Sequence, residues 1–266
     1  MEKLTIVKVG GAIVEDPEQL SALLDNFSAI EGKKLLVHGG GRRATKIAAQ
    51  LGIESHMVGG RRITDGEMLS VVTMVYGGLV NKNLVAQLQA HGVNALGLTG
   101  ADMDVIRSHK RPLKKVRMDD GTEQMVDFGF VGDVDRADGE RLAQLIDSGI
   151  TPVVAPLTHD GNGNILNTNA DTMASTVAKA LANKYEVTLI FSFEKKGVLS
   201  NPDDDDSVIP VINQELYNKY VEDGTISGGM KPKIENALEA VDAGVKKVII
   251  TLATKIDGKH GTVINK

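Results

Sequence analysis

Strand-like and helix-like segments alternate along almost the whole chain, and this order constrains the fold more than any other feature. Runs rich in β-branched residues, such as LTIVKV (4–9) and VTLIFS (187–192), are separated by helical patterns such as DPEQLSALLDNFSAI (16–30). Strands joined by helices run parallel and bury both faces of their sheet, so the pattern predicts an α/β fold with a mostly parallel sheet. Ligands bind such sheets at the carboxyl ends of the strands.

The other segments extend this alternation. Further strands are expected at KLLVHG (34–39), VNALGLT (93–99), TPVVAPL (151–157), KKVIITL (246–252) and GTVI (261–264). Helices are expected at 42–51, 66–92, 138–148, 170–182, 213–222 and 230–243. The helix over 66–92 should bend near Gly77–Gly78, because glycines are a common cause of kinks. Short alternating pieces between Asp102 and Val134, around an Asp120–Gly121 turn, predict small antiparallel hairpins.

Composition and charge exclude several classes of function. A net charge of −5 and an aromatic content of 3% over 266 residues argue against a nucleic-acid partner, which needs a basic face and stacking rings. The chain has no cysteine, which removes disulfides, thiolate nucleophiles and thiolate metal sites. Neither an apolar run of membrane-spanning length nor a signal-peptide core is recognised, so a cytoplasmic protein without a membrane partner is predicted.

Glycines follow two of the expected strands, where a ligand could contact the main chain. In VKVGGAI, Lys8 lies two residues before Gly10–Gly11, and in HGGGRR the run Gly39–Gly41 precedes an expected helix. Glycine leaves the backbone accessible, and a helix N-terminus adds unpaired N–H groups and a partial positive charge. Both junctions therefore predict anion cradles. A lysine on a buried strand is costly unless it faces a ligand or an ion-pair partner, and either would explain Lys8.

A third junction lies at ILNTNADTMAST (165–176), where a strand should lead into a helix. Asn169 fits the position of a helix cap and Asp171 could complement the helix dipole, but neither role explains Asn167. A carboxylate here could equally orient catalytic lysines, since opposite charges a few ångströms apart favour each other's ionised forms. Both interpretations of Asp171 stay open from the sequence.

The fourth junction, ISGGMKPKIENAL (226–238), places Gly228–Gly229 before Lys231 and Lys233 at the start of a helix. The helix dipole slightly disfavours a lysine in the first turn, a preference that a bound polyphosphate would reverse. Glycine cradles, lysines and an aspartate without a candidate nucleophile predict phosphoryl transfer, for which lysines, backbone N–H groups and Mg²⁺ suffice. No histidine lies in a metal-ligand pattern, so no metal site held by the protein itself is expected.

Two other interpretations concern the glycine run after the second strand. Gly39, Gly41 and Ala44 formally match the G-x-G-x-x-G/A fingerprint of a nicotinamide-dependent oxidoreductase. That match is weak, because the run follows the second strand and no ribose-binding acid follows at the required distance. His38, which precedes the run, could either orient the loop or simply pack in the core.

Five motifs, in their order along the chain, resemble the signatures of the amino acid kinase superfamily and, within it, of the acetylglutamate kinase family. They are KVGG (8–11), HGGG (38–41), GRRIT (60–64), NTNAD (167–171) and GGMKPK (228–233). The resemblance covers nearly the full length. It implies a three-layer α/β/α sandwich with an N-terminal lobe (1–183) for the acyl amino acid and dimerisation, and a C-terminal lobe (184–266) for ATP.

The resemblance also implies roles for individual residues. Lys8 and Lys233 would stabilise charge on the transferring γ-phosphoryl group, and Asp171 would organise these two lysines. Arg62 and Asn167 would hold the α-carboxylate and the amide of the substrate. The glycines expected at the phosphate groups and the attacking carboxylate are Gly10, Gly11, Gly40, Gly41 and Gly229. The implied reaction is the ATP- and Mg²⁺-dependent phosphorylation of the side-chain carboxylate of N-acetyl-L-glutamate, in arginine biosynthesis, by a homodimer.

Three departures from the family pattern leave alternatives open. Arg42 and Arg43 replace the proline that usually follows HGGG, and Arg61 replaces the leucine that usually precedes Arg62. Arginine pairs with carboxylates through two parallel hydrogen bonds, so these residues could serve an acidic acyl group such as succinyl, or could face solvent. The segment SFEKKGVL (192–199) replaces the family's D-V-x-G-V, which leaves a catalytically weak amino-acid sensor as an alternative of another class.

Overall fold

The computed structural model describes residues 1–59, 61–117 and 121–266. Gly60 of the GRRIT motif and Asp120 of the expected turn lie outside these residues. Within them, the helices are α1 Gly11–Glu15, α2 Pro17–Ser28, α3 Gly41–Gln50, α4 Gly66–Val72, α5 Asn81–Ala90, α6 Gly139–Asp147, α7 Ala170–Leu181, α8 Gln214–Glu222 and α9 Met230–Asp242. A π-helical segment, Thr73–Val80, joins α4 to α5, and a 3-10 turn spans Asp102–Asp104.

The strands are β1 Lys3–Val9, β2 Lys33–His38, β3 Met57–Val58, β4 Arg61–Arg62, β5 Ala95–Leu98, β6 Ile106–Lys110, β7 Lys114–Arg117, β8 Glu123–Val126, β9 Gly132–Ala137, β10 Thr151–Val154, β11 Leu157–His159, β12 Ile165–Asn167, β13 Glu186–Phe193, β14 Val211–Ile212, β15 Lys247–Leu252 and β16 Thr262–Ile264. Eight of them form the central sheet in the order β14-β16-β15-β13-β1-β2-β10-β5. Every pair in this sheet is parallel except β15–β16, which confirms the predicted fold class.

The alternation of side chains along the central strands decides which face each polar residue occupies. Ile6 packs in the cluster formed with α6 to α9, whereas Val7 packs in the cluster formed with α1 to α5. Because side chains alternate along a strand, Lys8 faces the same side as Ile6, under α7 and α9. In β2, Leu36 packs on the opposite side, and His38, two residues further on, shares that side. The sandwich thus directs Lys8 and His38 to different layers.

The region of short strands forms sheets of its own beside the sandwich. β7 and β8 make an antiparallel hairpin, and β6 and β9 pair antiparallel on either side of it, as the sequence predicts. The expected strand 151–157 is divided: β10 belongs to the central sheet, whereas β11 joins a second sheet with the order β12-β11-β6-β9. Pro156, between the two strands, has no N–H for a ladder, which is consistent with a break there.

The long helical unit from Gly66 to Ala90 corrects one expectation. Its 25 residues are long and apolar enough, with a hydropathy of 1.2, to cross a membrane by length and composition alone, although no such run was recognised in the sequence. Inside the protein, 44% of that window is buried, and Val71, Val75 and Leu84 lie in the core under the sheet. The apolar residues therefore cover one face of the sandwich.

The predicted boundary between the lobes, at residues 183 and 184, falls between α7 and β13. β1 pairs with β13 along six residues, so the strands on the two sides of this boundary belong to one continuous sheet. The carboxyl ends of β1, β2 and β13 therefore lie side by side at one edge, and the loops that leave them meet there.

Candidate active site

The loops that follow β1 and β2 approach each other so closely that a side chain at the contact would crowd the opposite backbone. Gly39 donates its N–H to the carbonyl of Val9 over 2.8 Å, which ties the second loop to the end of β1. A methyl group added to Gly39 would lie 3.0 Å from Gly11 N, and one added to Gly11 would lie 3.3 Å from Gly40 N. Both loops turn directly into helices, α1 and α3, so two helix N-termini converge on one point.

This point is rich in hydrogen-bond donors. The backbone N–H groups of Gly11, Gly40 and Gly41 have no acceptor among the residues that the structure describes. Gly11 and Gly41 are the first residues of α1 and α3, where N–H groups have no partner within the helix. Three unpaired donors at the starts of two helices favour an anion at this point, which the glycine pattern also predicts.

Lys8, Asp171 and Lys233 meet beside this cradle. Lys8 Nζ lies 2.7 Å from Asp171 Oδ1, and Lys233 Nζ lies 3.5 Å from Asp171 Oδ2. The three side chains come from β1, α7 and α9, because α7 and α9 cover the face of the sheet to which Lys8 points. A methyl group on Gly10 would lie 3.9 Å from Lys8 Nζ, so the ammonium group turns back over the first glycine loop.

The electrostatics of this trio favour the binding of an anion. Burial raises the pKa of the Asp171 carboxyl, but Lys8 and Lys233 outweigh it and hold the pKa below its usual value. Burial lowers the pKa of Lys233, with a further contribution from Lys8, while Asp171 opposes both. Lys233 Nζ also lies 5.1 Å from the ring centroid of Phe193 and 5.4 Å from that of Phe191. Two ammonium groups around one carboxylate leave an uncompensated positive charge for a ligand.

The helix cap that the sequence suggests for α7 is present as well. Asn169 accepts hydrogen bonds from the N–H groups of Asp171 (2.8 Å) and Thr172 (3.1 Å). Capping and the pairing of Asp171 with lysines are therefore not alternatives, because the Asn169 cap fixes the helix start from which Asp171 projects.

A cavity of about 230 Å³ opens next to the cradle. Its lining includes Gly11, Gly40, Gly41, Arg62, Asn167 and Ala170. Arg62 is held by the Gly41 carbonyl (3.0 Å) and by Thr45 Oγ1 (2.8 Å), and Asn167 donates to Thr64 Oγ1 over 2.9 Å. The residues expected to hold the substrate thus line one cavity beside the glycine loops.

The extra arginines occupy different places. Arg61 lines the same cavity, where burial, followed by the neighbouring Arg111, lowers its pKa, while Asp133 opposes this. Arg42 lies at the surface, 3.3 Å from Glu194 Oε1. Arg43 lines a separate cavity of about 170 Å³ beside α5. The structure therefore brings Arg61, but not Arg42 or Arg43, to the cavity of Arg62.

Arg111 and Tyr76 also line this cavity, although neither belongs to a sequence motif that predicts the site. Arg111 pairs with Asp133 through Nε (3.0 Å) and Nη2 (2.6 Å), and its side chain is only 10% exposed. The ring of Tyr76 packs against Gly40, where an added methyl group would lie 2.9 Å from Cδ1. A charged residue in a predicted hairpin and a tyrosine in an apolar helix carry no local signal of a site.

A further cavity, of about 220 Å³, lies in the C-terminal part of the chain. Phe193, Gly197, Leu199, Pro202 and Met230 are among its lining residues. Gly229 is the N-cap of α9, immediately before Met230, with open space around its Cα. In the departing segment 192–199, Glu194 pairs with Arg42, and Lys195 and Lys196 pair with Asp205 and Asp206 of the acidic loop.

Among the described residues, no group of three or more His, Cys, Asp or Glu side chains could hold a metal ion. Asp171 is already engaged by two lysines. Mg²⁺ usually keeps several waters and binds through one or two carboxylates and substrate phosphates. The donor set is therefore compatible with a magnesium ion bound mainly through substrate phosphates.

Unpaired glycine N–H groups, two lysines on one aspartate and an adjoining arginine-lined cavity together favour an anionic ligand. Residues 3–252 match the model of the amino acid kinase family, and the chain belongs to that family. The resemblance noted in the motifs is thereby confirmed. A kinase of this family uses ATP as phosphate donor.

Similar proteins narrow the family to the acetylglutamate kinases. The chain is 63% identical over 265 residues to acetylglutamate kinase of Bacteroides thetaiotaomicron, covering 100% of this chain and 99% of that protein. It is 64% identical to acetylglutamate kinase of Phocaeicola vulgatus, again over 265 residues, 100% of this chain and 99% of that protein. Among solved structures, smu.665 from Streptococcus mutans superposes with a TM-score of 0.77 at 28% identity, with 98% of each chain covered.

Proposed function

We propose that this chain is an ATP-dependent kinase that phosphorylates the side-chain carboxylate of N-acetyl-L-glutamate, in arginine biosynthesis. The observation that carries the proposal is the Lys8–Asp171–Lys233 trio beside three unpaired glycine N–H groups and the cavity of Arg62. The full-length similarity to acetylglutamate kinases supports this acceptor.

In the proposed reaction, an oxygen of the acceptor carboxylate attacks the γ-phosphorus of ATP. A new P–O bond forms, the bond to the β,γ-bridging oxygen breaks, and ADP leaves with that oxygen. Phosphoryl transfer depends on positioning and on neutralising charge, because the transition state spreads negative charge over the phosphoryl oxygens. Lys8, Lys233 and the N–H groups of Gly11 and Gly40 supply that positive potential without reorganisation.

Binding of the two substrates is divided between the two predicted lobes. Arg62 and Asn167 would hold the α-carboxylate and the amide of the acyl amino acid in the cavity of about 230 Å³. ATP would bind in residues 184–266, with its base near Phe193 and its phosphates reaching Gly229, Gly10 and Gly11. Magnesium would neutralise the ATP phosphates and supply charge stabilisation, held chiefly by those phosphates. Asp171 keeps both lysines in place.

Trapping of the acyl phosphate by hydroxylamine tests the proposal. With ATP, magnesium and N-acetyl-L-glutamate, the protein should form a hydroxamate whose rate saturates with both substrates. Absence of hydroxamate with every N-acylglutamate, together with retained binding of an amino acid, would instead support a sensor on the same fold.

A second acceptor, N-succinyl-L-glutamate, is favoured by one feature of the cavity. Arg61 and Arg111 both line it, and Asp133 accepts hydrogen bonds from Arg111. Besides burial, the nearby Arg111 guanidinium lowers the pKa of Arg61. A ligand carboxylate between or beside the two guanidinium groups would reduce their mutual repulsion. The terminal carboxylate of a succinyl group has this chemistry, whereas an acetyl group has no charge to offer.

Competition between the two acceptors separates these possibilities. If Arg61 recognises a succinyl carboxylate, Arg61→Gln should lower kcat/KM for N-succinylglutamate by about 10- to 100-fold, which is the value of a charged hydrogen bond. The kcat/KM for N-acetylglutamate should not change. Arg42→Gln and Arg43→Gln are the matched controls, since neither residue lines this cavity, and both should leave the ratio of the two substrates unaltered. An unchanged ratio in Arg61→Gln would exclude this role.

A homodimer located in the cytoplasm is part of the same proposal. Met74, Leu79 and Leu96 are exposed by 55%, 40% and 42% on the helical unit 66–90 and the adjacent edge strand β5. An exposed sheet edge flanked by apolar side chains suits pairing with a second copy. The absence of cysteine from the sequence is in keeping with a reducing compartment.

A further inference from the structure

His38 is fully buried under the glycine loop and forms a hydrogen bond with it. Its Nδ1 lies 2.8 Å from the carbonyl oxygen of Gly39, and its Nε2 lies 3.1 Å from Nδ2 of Asn81. The same Asn81 nitrogen donates to the carbonyl of Val153 over 2.9 Å, which orients the amide with its NH₂ group toward both acceptors. Nε2 therefore accepts, and the network assigns the ring proton to Nδ1, which donates to Gly39.

This hydrogen bond fixes the direction of the next N–H group. In a trans peptide the C=O of Gly39 and the N–H of Gly40 point in opposite directions, and no peptide bond described in this chain is cis. Holding the Gly39 carbonyl toward buried His38 therefore turns the Gly40 N–H away from the core. It emerges beside Gly11, where a methyl group would lie 3.3 Å from Gly40 N.

The surroundings of His38 keep the ring in the form that this arrangement needs. Burial lowers the pKa of His38 to about 4, and the Gly39 hydrogen bond only partly opposes this. The imidazole is neutral near pH 7, with one donor and one acceptor, and the two neighbours use both. The fully buried ring thus has no hydrogen-bonding atom left over.

The π-helical segment Thr73–Val80 positions the two residues that contact Gly40 and His38. Tyr76, whose ring packs on Gly40, and Asn81, which binds His38, are five residues apart. In an α-helix, positions five apart differ by about 140° around the axis. The i→i+5 bonding of a π-helix brings such positions close to one face. Both residues can thus support the same loop from below.

We propose that His38, held by Asn81, is a positioning residue for phosphoryl transfer, which aims the Gly40 N–H at the transferring group. This inference rests on the proposed kinase function. His38 contacts neither substrate, and it acts only through the Gly39–Gly40 peptide.

Two variants test the role of the donor. His38→Asn places an amide NH₂ near the position of Nδ1 and keeps the bond to Gly39, whereas His38→Leu removes it. A misdirected catalytic donor costs up to about 100-fold, so His38→Leu should lose a large part of that in kcat with little change in either KM, and His38→Asn should recover most of it. Equal loss in both variants, or wild-type kcat in His38→Leu, would overturn the proposal.

A measurement that does not depend on activity separates this inference from the proposed function. Long-range ¹H–¹⁵N NMR of the wild-type protein should show a neutral His38 with its proton on Nδ1 at pH 7. A proton on Nε2 would overturn the positioning role even in an active kinase. If the wild type forms no hydroxamate, the proposed function fails, whereas the NMR spectrum still reports whether the His38 network exists.

Discussion

At the scale of single residues, Lys8 shows how the energetic cost of a buried charge indicates function. An ammonium group inside a buried strand loses its hydration, and only a partner makes this tolerable. That partner, Asp171, is shared with Lys233, so the trio carries a net positive charge. Nothing in the packing of β1 requires a lysine, since its neighbours Ile6 and Val7 are apolar. The charge is consistent with a negative ligand.

Lys233 and Lys231 provide a matched pair, because both lie in the first turn of α9 and only Lys233 contacts Asp171. Lys233→Met should lower kcat by about 100- to 1,000-fold, the usual loss for one group that stabilises transition-state charge. Folding should survive, since Lys8 still pairs with Asp171 and the methionine would contact the same phenylalanine rings. Lys231→Met should behave as the wild type. Hydroxamate formation measures kcat, and the midpoint of thermal unfolding measures folding stability. Equal kcat values in the two variants would contradict the proposed mechanism.

Gly11 allows a second test at this scale. A methyl group here would lie 3.3 Å from Gly40 N and 3.4 Å from Gly41 N, so Gly11→Ala should cover both donors. We expect kcat to fall by about 100-fold or more, because more than one donor is blocked. Gly66→Ala is the control, since Gly66 is also the first residue of a helix, α4, but has open space around it. Comparable activity in both variants would show that the cradle is not used.

At the scale of elements, the unit from Gly66 to Ala90 departs most from what its pattern suggests. The glycine pair at 77–78 predicts a bend, and the structure has a π-helical segment, Thr73–Val80, around that pair. Glycine tolerates such a segment, but the sequence does not specify it. The positions of Tyr76 and Asn81 against the loop of Gly40 are what the wider turn makes possible.

The C-terminus of α5 makes stability depend on pH. His91 lies 2.7 Å from the Gln87 carbonyl and 2.9 Å from Asp25 of α2, and these two contacts raise its pKa above 6.5. A raised pKa means that protonated His91 stabilises the fold at low pH, and that this contribution disappears as pH rises through the pKa of the folded protein. The thermal midpoint of the wild type should therefore exceed that of His91→Gln at about pH 5.5, and the gap should shrink by about pH 9.

Asp25→Asn provides the control for this pair. It removes the ionic partner and keeps the imidazole ring. At low pH it should therefore reduce the difference in thermal midpoint between proteins with and without the His91→Gln change. A difference between the wild type and His91→Gln that is constant over the whole range would contradict the assignment of the pH effect to this ion pair.

At the scale of the whole molecule, one sheet joins the two predicted lobes and ends at β5. Leu96 is exposed on this edge strand, and the strand packs against α5 of the unit 66–90. If two copies meet there, light scattering should give twice 28.3 kDa for the wild type, and Leu96→Asp should give a monomer. Leu113→Asp, at an exposed leucine between β6 and β7, should keep the dimer. A monomeric or hexameric wild type would contradict the proposed dimer.

Several levels of this structure follow from the sequence because they depend on short-range patterns. Alternating apolar runs predict the parallel sheet, and glycine pairs at strand ends predict the cradle. Other features escape such patterns. α1 is not expected from the sequence because its five residues are too few to show a period. The run TPVVAPL predicts one strand over 151–157 because it is apolar through the first residue of β11.

The sequence by itself determined the fold class, the family and the kinds of residue available for phosphoryl transfer. Only the tertiary structure decided which of them meet. Arg61 and Arg43 are equally plausible in the sequence, yet one lines the cavity of Arg62 and the other does not. Arg111 and His38 acquire roles through partners 22 and 43 positions away. The physical reason is that local patterns fix backbone conformation, whereas side-chain neighbours are fixed by how distant elements pack.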